Sequence, residues 1–373
     1  MKNVIPHKRV EFTELFFDLV FVFAISKTTA LIHHLHHGIV SLESFGAFLV
    51  SLLVLVNTWM IETVYTNRYG RNSYFNIITM FINMALLLLV SNMVVADWQP
   101  YFNYFCGVIG TLSLVLFIQY LVQYFDERSG QKDRVVIRGF LNVTGFRALL
   151  IYIAMLFPLN IGYPIYMVGI IGSFIMPLFF QGHMDLVPVN FPHLLERISL
   201  LVIITFGEMI MGLAPFFTPE TFSYESIAFA IITCCLFLLY FGEFDHAIDE
   251  SKGGRGIFLI YSHYPIFIGL LMITVSMTFL SEDHANAYFT IGFLYTGLLL
   301  FIGSIFANGR QNKDTMQYGR RYLGTQWILF GASLVISLLF AHYALVTITS
   351  VMIMIFLMET NFMWTYSKYM AHH

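Results

Sequence analysis

The sequence predicts an all-α integral membrane protein with about twelve transmembrane helices, in two parallel six-helix repeats and with both termini in the cytoplasm. Three observations support this prediction: the composition, the spacing of apolar segments and the distribution of basic residues. The 373 residues are 58% hydrophobic and only 11% charged, whereas soluble domains carry about 25% charged residues. This composition is typical of a protein that crosses the membrane many times.

The apolar segments have the length of membrane spans. A transmembrane helix needs about 20 mostly apolar residues to cross the hydrocarbon core. By this criterion we expect spans at residues 11–32, 42–65, 74–96, 101–124, 139–158, 162–181, 194–214, 223–247, 256–280, 286–307, 322–342 and 344–366. The connections between them are short, so no separate soluble domain is expected.

The basic residues give the predicted orientation. With a cytoplasmic N-terminus, most of the 19 Lys and Arg residues fall in inner connections, while the outer connections contain acidic residues and no basic ones. The positive-inside rule requires this asymmetry. An even number of spans then places the C-terminus in the cytoplasm as well.

Acidic residues recur at matching positions in the two halves of the sequence. Glu14 opens the first span and Glu196 opens the seventh, 182 positions later. Glu62 and Glu243 follow an aromatic residue by three positions near the ends of the second and eighth spans, 181 positions apart. Six spans per repeat give both halves the same orientation in the membrane. The predicted repeats are residues 1–185 and 186–373.

Charged residues inside the spans are the candidate functional groups. An ionised side chain near the bilayer centre costs about 2.5–3.5 kcal/mol, so such a group usually faces a partner or a wet cavity. The predicted binding residues for an ion, a proton or a solute are Asp18, Glu208, Glu14, Glu62, Glu243 and His263, with Arg147 and Arg197 as counter-charges. A structural network of ion pairs that only holds helices together is the alternative for the acids near the cytoplasmic ends of the spans and for the two arginines. For Glu208 the alternative is a protonated carboxyl that is hydrogen-bonded to a backbone carbonyl.

The histidines and tryptophans give weaker patterns. His33 and His37, at the outer end of the first span, form an i, i+4 pair and are candidate metal ligands, with a solvated interfacial tract as the alternative. His263 lies two residues before Pro265, and a proline-broken helix often borders a cavity. Trp59 and Trp98, near the ends of segments, are interpreted as interface anchors.

The opening stretch of the first span carries a family resemblance. Glu14-Leu-Phe-Phe-Asp18-Leu-Val-Phe-Val-Phe-Ala-Ile25 resembles the signature of the bacterial low temperature requirement A family. The resemblance extends over essentially the whole chain, through Trp59, Asn67-Arg68, His193-Leu-Leu-Glu196-Arg197 and Gly207-Glu208. It implies a bacterial membrane protein of twelve helices in which Glu14, Asp18, Glu196, Arg197 and Glu208 are important. It names no substrate.

Buried acids in a duplicated architecture predict secondary transport of a small solute or ion, coupled to protons. Asp18 and Glu208 would titrate, and Glu62 and Glu243 would gate or pair. A cation channel built on two six-helix repeats is the alternative, followed by a membrane-embedded lipid-modifying enzyme or a non-catalytic sensor.

Nucleotide-binding and hydrolase motifs are missing from the sequence, so no catalytic residue and no cofactor are predicted. The expected partners are the lipid bilayer and the solute or ion. A homo-oligomer is left open, and a net charge of −3 predicts no nucleic-acid partner.

Overall fold

The computed structural model describes residues 8–95, 99–252 and 256–370, and the chain is helical over nearly all of them. The one sheet within these ranges is a short antiparallel hairpin, in which β1 (Leu35–His36) pairs with β2 (Ile39–Val40). The prediction of an all-α fold is confirmed.

The helices follow the predicted order along the chain. They are α1 (Phe12–Asp18), α2 (Val20–Ala30), α3 (Leu42–Tyr69), α4 (Tyr74–Asn92), α5 (Phe102–Phe125), α6 (Gln131–Ala154), α7 (Leu159–Phe179), α8 (Gln181–Met184), α9 (Phe191–Leu213), α10 (Tyr224–Phe241), α11 (Ile257–Leu280), α12 (Ala287–Asn308), α13 (Arg320–Leu339) and α14 (Ala344–Met370). Eleven helical segments of the described residues are long and apolar enough to cross a membrane, and they coincide with eleven of the predicted spans.

The predicted first span is divided at Leu19 into α1 and α2. The Leu19 backbone is still right-handed helical, with φ −62° and ψ −27°. Its amide donates to the Phe16 carbonyl at 3.2 Å, which is a tighter i to i−3 hydrogen bond. The division is therefore one tightened turn, and it directly follows Asp18. The count of twelve spans stays a prediction.

The first residue of α6 is not predicted by the length of the apolar segment. The helix begins at Gln131, eight residues before the predicted span at 139–158. The Asp133 carboxylate accepts a hydrogen bond from the Gly130 amide at 2.9 Å and so caps the first turn. Hydropathy marks the part of a helix that lipid covers, whereas the hydrogen-bonded helix continues into polar residues.

The chain divides into two compact units. The first comprises Met1–Leu31, Leu42–Leu201 and Gly253–Ile260, and the second Ile32–Ser41, Val202–Lys252 and Tyr261–His373. These units are defined by packing, whereas the predicted repeats are defined by sequence offsets. The repeats therefore stay a prediction.

The second unit contains a close helix crossing made by two glycines. A Cβ atom added to Gly269 on α11 would lie 2.5 Å from the Gly297 carbonyl oxygen on α12. Small residues allow helix backbones in membranes to approach in this way. Gly292, on the same α12, has open space at its Cβ position.

Candidate functional site

A stripe of polar side chains runs along α3 in the first unit. Thr58, Glu62 and Thr66 follow each other at four-residue spacing, which places them on one helix face. All three are buried, and the stripe is about 12 Å long at 1.5 Å per residue. Buried polar groups need hydrogen-bond partners, and here these partners come from several other helices of the unit.

Arg197 on α9 lies at one end of the stripe. Its Nη2 is 2.5 Å from Asp18 Oδ1 on α1, and its Nη1 donates to Thr66 Oγ1 at 3.0 Å. The same Nη1 is 3.4 Å from Glu14 Oε2. One fully buried guanidinium therefore lies between the two carboxylates of the first span, as the predicted counter-charge would.

Asp18 uses one of its two oxygens in these contacts. Its Oδ1 also accepts a hydrogen bond from Trp59 Nε1 at 2.7 Å, and the Trp59 ring lies 5.2 Å from the Arg197 guanidinium carbon. Asp18 Oδ2 is buried and has no hydrogen-bond partner among the described residues. This oxygen is an acceptor available to a proton, a cation or a polar solute.

The interpretation of Trp59 as an interface anchor is wrong. Its side chain has no exposed surface, because its indole N–H is used to bind a carboxylate inside the unit. Trp98, the other predicted anchor, lies outside the described residues.

Glu14 contacts His193, and the tautomer of this imidazole follows from the groups around it. Asn67 Nδ2 donates to the Asn190 carbonyl at 2.9 Å, and Asn67 Oδ1 accepts from the Asn190 amide at 2.9 Å. This pairing fixes the orientation of the Asn67 side-chain amide, so it is the Asn67 Nδ2 atom that faces His193 Nδ1 at 3.0 Å. Nδ1 is then the acceptor, and the neutral ring carries its hydrogen on Nε2, which lies 3.1 Å from Glu14 Oε2.

Glu62, in the middle of the stripe, is fully buried and bound by neutral amides. Gln119 Nε2 donates to Glu62 Oε1 at 3.2 Å, and Asn83 Nδ2 donates to Oε2 at 3.2 Å. Gln119 Nε2 also donates to Thr79 Oγ1 at 2.9 Å, which fixes its position. The carboxyl is therefore held in place without a hydrogen bond from a charged donor in the described residues.

Arg147 on α6 lies at the other end of the stripe. Its Nε donates to Ser113 Oγ at 2.8 Å, and its Nη1 donates to Thr58 Oγ1 at 3.4 Å. The stripe thus has a buried guanidinium at each end and a buried carboxyl between them.

Lys8 approaches the C-terminal end of α3. Its Nζ donates to the Thr66 carbonyl oxygen and, at 3.0 Å, to the Gly70 carbonyl oxygen. Cations commonly bind the last carbonyls of a helix in this way. Burial lowers the pKa of Lys8, and the Glu14 carboxylate acts in the opposite direction.

The second unit contains three of the other predicted residues. Glu243 lies in a π-helical turn that continues α10, and its Oε2 accepts hydrogen bonds from Tyr318 and, at 3.2 Å, from Asn312 Nδ2. His263 Nε2 is 3.0 Å from the Tyr240 hydroxyl. Glu208 is partly buried on α9. Their functional roles stay predictions.

The predicted helical pair of histidines does not form. The helix ends at Ala30, and His37 has φ +53° in the turn between β1 and β2. His33 and His37 therefore do not share a helix face, and the i, i+4 argument for them was wrong. In the part of the chain that the structure describes, no group of three His, Cys, Asp or Glu side chains is arranged to hold a metal ion.

Sequence reasoning also missed several neutral members of the network. Asn83, Gln119 and Ser113 lie in apolar helices, where amides and hydroxyls cost less than charges and were not singled out. The four-residue spacing of Thr58, Glu62 and Thr66 was a signal that could have identified the stripe. Glu196, which the sequence grouped with Arg197, is exposed.

A comparison with known families matches nearly the whole chain. The family model described as "Bacterial low temperature requirement A protein (LtrA)" matches residues 9–359. Comparison with curated proteins and with solved structures gave no match.

Proposed function

The chain belongs to the bacterial low temperature requirement A family, and we propose that this member is a secondary transporter that moves a small solute or ion together with protons. In this proposal α1 and α2 together form a twelfth span, both termini are cytoplasmic and the protein lies in the bacterial cytoplasmic membrane. The eleven apolar helices support a multi-pass membrane protein.

The observation that carries the proposal is the open oxygen of Asp18. In a purely structural ion pair, we expect both carboxylate oxygens to be satisfied, because burying unpaired polar atoms is costly. Asp18 Oδ2 is buried without a hydrogen-bond partner in the described residues, while Oδ1 is held by Arg197 and Trp59. The site therefore has a fixed carboxylate with one free coordination position.

The contacts of Arg197 suggest how binding couples to a change of state. When Asp18 binds a proton, its attraction for Arg197 weakens, whereas Glu14 and Thr66 still hold the guanidinium. A ligand shifts an equilibrium by its different affinity for the two states. Protonation of Asp18 thus favours a state in which Arg197 interacts with Glu14 and Thr66 but no longer with Asp18.

Glu62 is the second proton site in this proposal, and its neutral amide donors hold the carboxyl in either protonation state. Glu208 and Glu243 keep their predicted roles in the second unit, as a titrating group and a gating or pairing group. These roles are extensions of the first-unit argument.

The test is proton movement in proteoliposomes that contain a pH-sensitive dye. Na⁺, K⁺ and small metabolites are added one at a time, and Asp18→Asn and Glu62→Gln are compared with Glu196→Gln, an exposed neighbour of Arg197. We expect a saturable proton flux that depends on one added solute, survives Glu196→Gln and is lost in Asp18→Asn.

Other results would contradict the proposal. A sustained current set by an ion gradient, without any added solute, would identify a channel. A covalently modified lipid after incubation would identify an enzyme. Normal solute-dependent proton flux in Asp18→Asn would remove Asp18 from the mechanism.

A further inference from the structure

The second unit contains a buried carboxyl that the transport proposal does not use. Glu359 on α14 is 6% exposed, and neither of its carboxyl oxygens has a hydrogen-bond partner among the described residues. It lies fifteen residues after Ala344, where α14 begins, which is about 22 Å along the helix axis. This depth places it inside a hydrocarbon core of about 30 Å, away from the outer interface.

The groups that face Glu359 come from α13 and α10. Gln326 Nε2 donates to the Met358 carbonyl oxygen at 3.2 Å, which places Gln326 beside the same turn of α14. The Tyr322 hydroxyl, one helical turn earlier on α13, and the Cys235 thiol on α10 both interact electrostatically with the Glu359 carboxyl. Within the described residues, no ion pair to Glu359 occurs and no cation acts on it.

One of these neighbouring groups has an unused oxygen. Gln326 Oε1 is buried and has no hydrogen-bond partner in the described part of the chain, while the Gln326 side chain also interacts with the Tyr322 hydroxyl. An ionised Glu359 would leave its own two oxygens and Gln326 Oε1 as buried acceptors without a donor, which is unfavourable. A proton on the carboxyl removes its charge and turns one oxygen into a donor.

Two stacked tyrosines interact with this carboxyl and with a second one. Tyr322 stacks on Tyr318, with ring centres 4.9 Å apart and planes 10° from parallel. Tyr318 donates a hydrogen bond to Glu243, and Glu243 also acts electrostatically on Tyr322. Burial raises the pKa of Tyr318 well above its ordinary value, so this phenol stays a hydrogen-bond donor at neutral pH.

We propose that Glu359 is a proton-binding site of the second unit, with Tyr322 as its neighbouring phenol and Glu243 as the second carboxyl of the pair. Binding adds a proton to one carboxylate oxygen, and release restores the carboxylate. The groups that face this carboxyl are Cys235, Tyr322 and Gln326. Tyr318 stacks on Tyr322, and Glu243 accepts a hydrogen bond from Tyr318.

The proposed site at Glu359 requires only that this carboxyl binds a proton. The test below measures no transport, so a negative result for Glu359 is distinguishable from failure of the proposed transport.

The test uses dicyclohexylcarbodiimide, which reacts with protonated carboxyls in apolar surroundings. The full-length protein in detergent is treated over a range of pH, and peptide mass spectrometry measures the labelled fraction of Glu359. We expect labelling of Glu359 that decreases as the pH rises. We expect Glu359→Gln to lose it completely, and Tyr322→Phe to keep it with a shifted midpoint.

Infrared spectroscopy supplies a measurement that does not depend on access of the reagent. We expect the carbonyl band of a protonated carboxyl in wild type and in the exposed-site control Glu196→Gln, with a reduced band in Glu359→Gln. Absence of both the labelling and the band difference would overturn the proposal. Protection of Glu359 from labelling by Na⁺ or K⁺ at constant pH would overturn it in favour of a cation site.

Discussion

Replacement of Arg197 tests the central contacts of the first unit most directly. Arg197→Met keeps much of the side-chain volume and removes the guanidinium between Asp18 and Glu14. Removing one partner of a buried ion pair costs about 3–5 kcal/mol, because a buried charge is left uncompensated. Asp18 keeps its bond from Trp59, and Glu14 keeps His193. These remaining contacts place the expected loss near the lower end of that range.

Two further variants provide comparison values for the loss in unfolding free energy. Asp18→Asn removes the negative charge but keeps an oxygen that can accept from Arg197 and Trp59, so we expect a loss of about 1.5–3 kcal/mol, while Arg197 keeps Glu14 and Thr66. Glu196→Gln changes an exposed carboxylate next to Arg197 and is expected to stay within about 0.5 kcal/mol of wild type. The predicted order of destabilisation is Arg197→Met, then Asp18→Asn, then Glu196→Gln.

Reversible unfolding in mixed micelles, followed by tryptophan fluorescence, measures these differences. A loss of 3 kcal/mol corresponds to a change of roughly 100-fold in the unfolding equilibrium constant. The double variant Asp18→Asn with Arg197→Met is expected to lose less than the sum of the two single losses, since the two residues contact each other. If Arg197→Met is as stable as Glu196→Gln, or if the two losses add exactly, the reasoning about this ion pair is refuted.

Three further predictions address other parts of the molecule. Asn67→Leu removes the amide that fixes the tautomer of His193, so we expect the free energy of unfolding to fall by about 1–3 kcal/mol. We also expect a changed ¹⁵N spectrum of the imidazole, and an unchanged spectrum would contradict the assigned tautomer. Gly269→Leu is expected to prevent folding because its Cβ would lie 2.5 Å from the Gly297 carbonyl oxygen, whereas Gly292→Leu, with open space, should yield a normal monodisperse protein. Equal yields of the two variants would contradict the close crossing. The pKa of Lys8 is lowered in the folded protein, so the unfolded chain binds more protons at alkaline pH, up to about pH 10.5, and the free energy of unfolding should rise with pH there. Lys8→Met should flatten this rise when unfolding is measured as a function of pH. An unchanged slope would contradict the lowered pKa of Lys8.

The sequence predicted the spans well because lipid exposure and helix length are both local properties. It also indicated that Glu14 and Asp18 need a partner or a wet cavity, since two acids four residues apart on one helix face are costly in a membrane. Arg197 is the partner in the structure, 179 positions from Asp18. That pairing depends on helix packing, and periodicity alone does not identify which helix faces which.

Other residues show where such reasoning fails. Trp59 lies near the end of a predicted span, and the rule for interface anchors depends only on that position. The structure instead buries Trp59, whose indole N–H donates to Asp18 on another helix. Glu359 was overlooked because it is one acid in an apolar helix, without a matching acid in the first half of the sequence. Its significance comes from neighbours on two other helices.

The pairing of Asn67 with Asn190 has a consequence for the proton route that we propose in the first unit. An imidazole relays a proton by accepting it at one ring nitrogen and releasing it from the other. In His193 the nitrogen remote from Glu14 already faces an amide N–H, and the Asn190 backbone prevents that amide from turning over. In the proposed transport, His193 therefore does not pass a proton on from Glu14, and a proton that binds Glu14 has to leave directly from the Glu14 carboxyl.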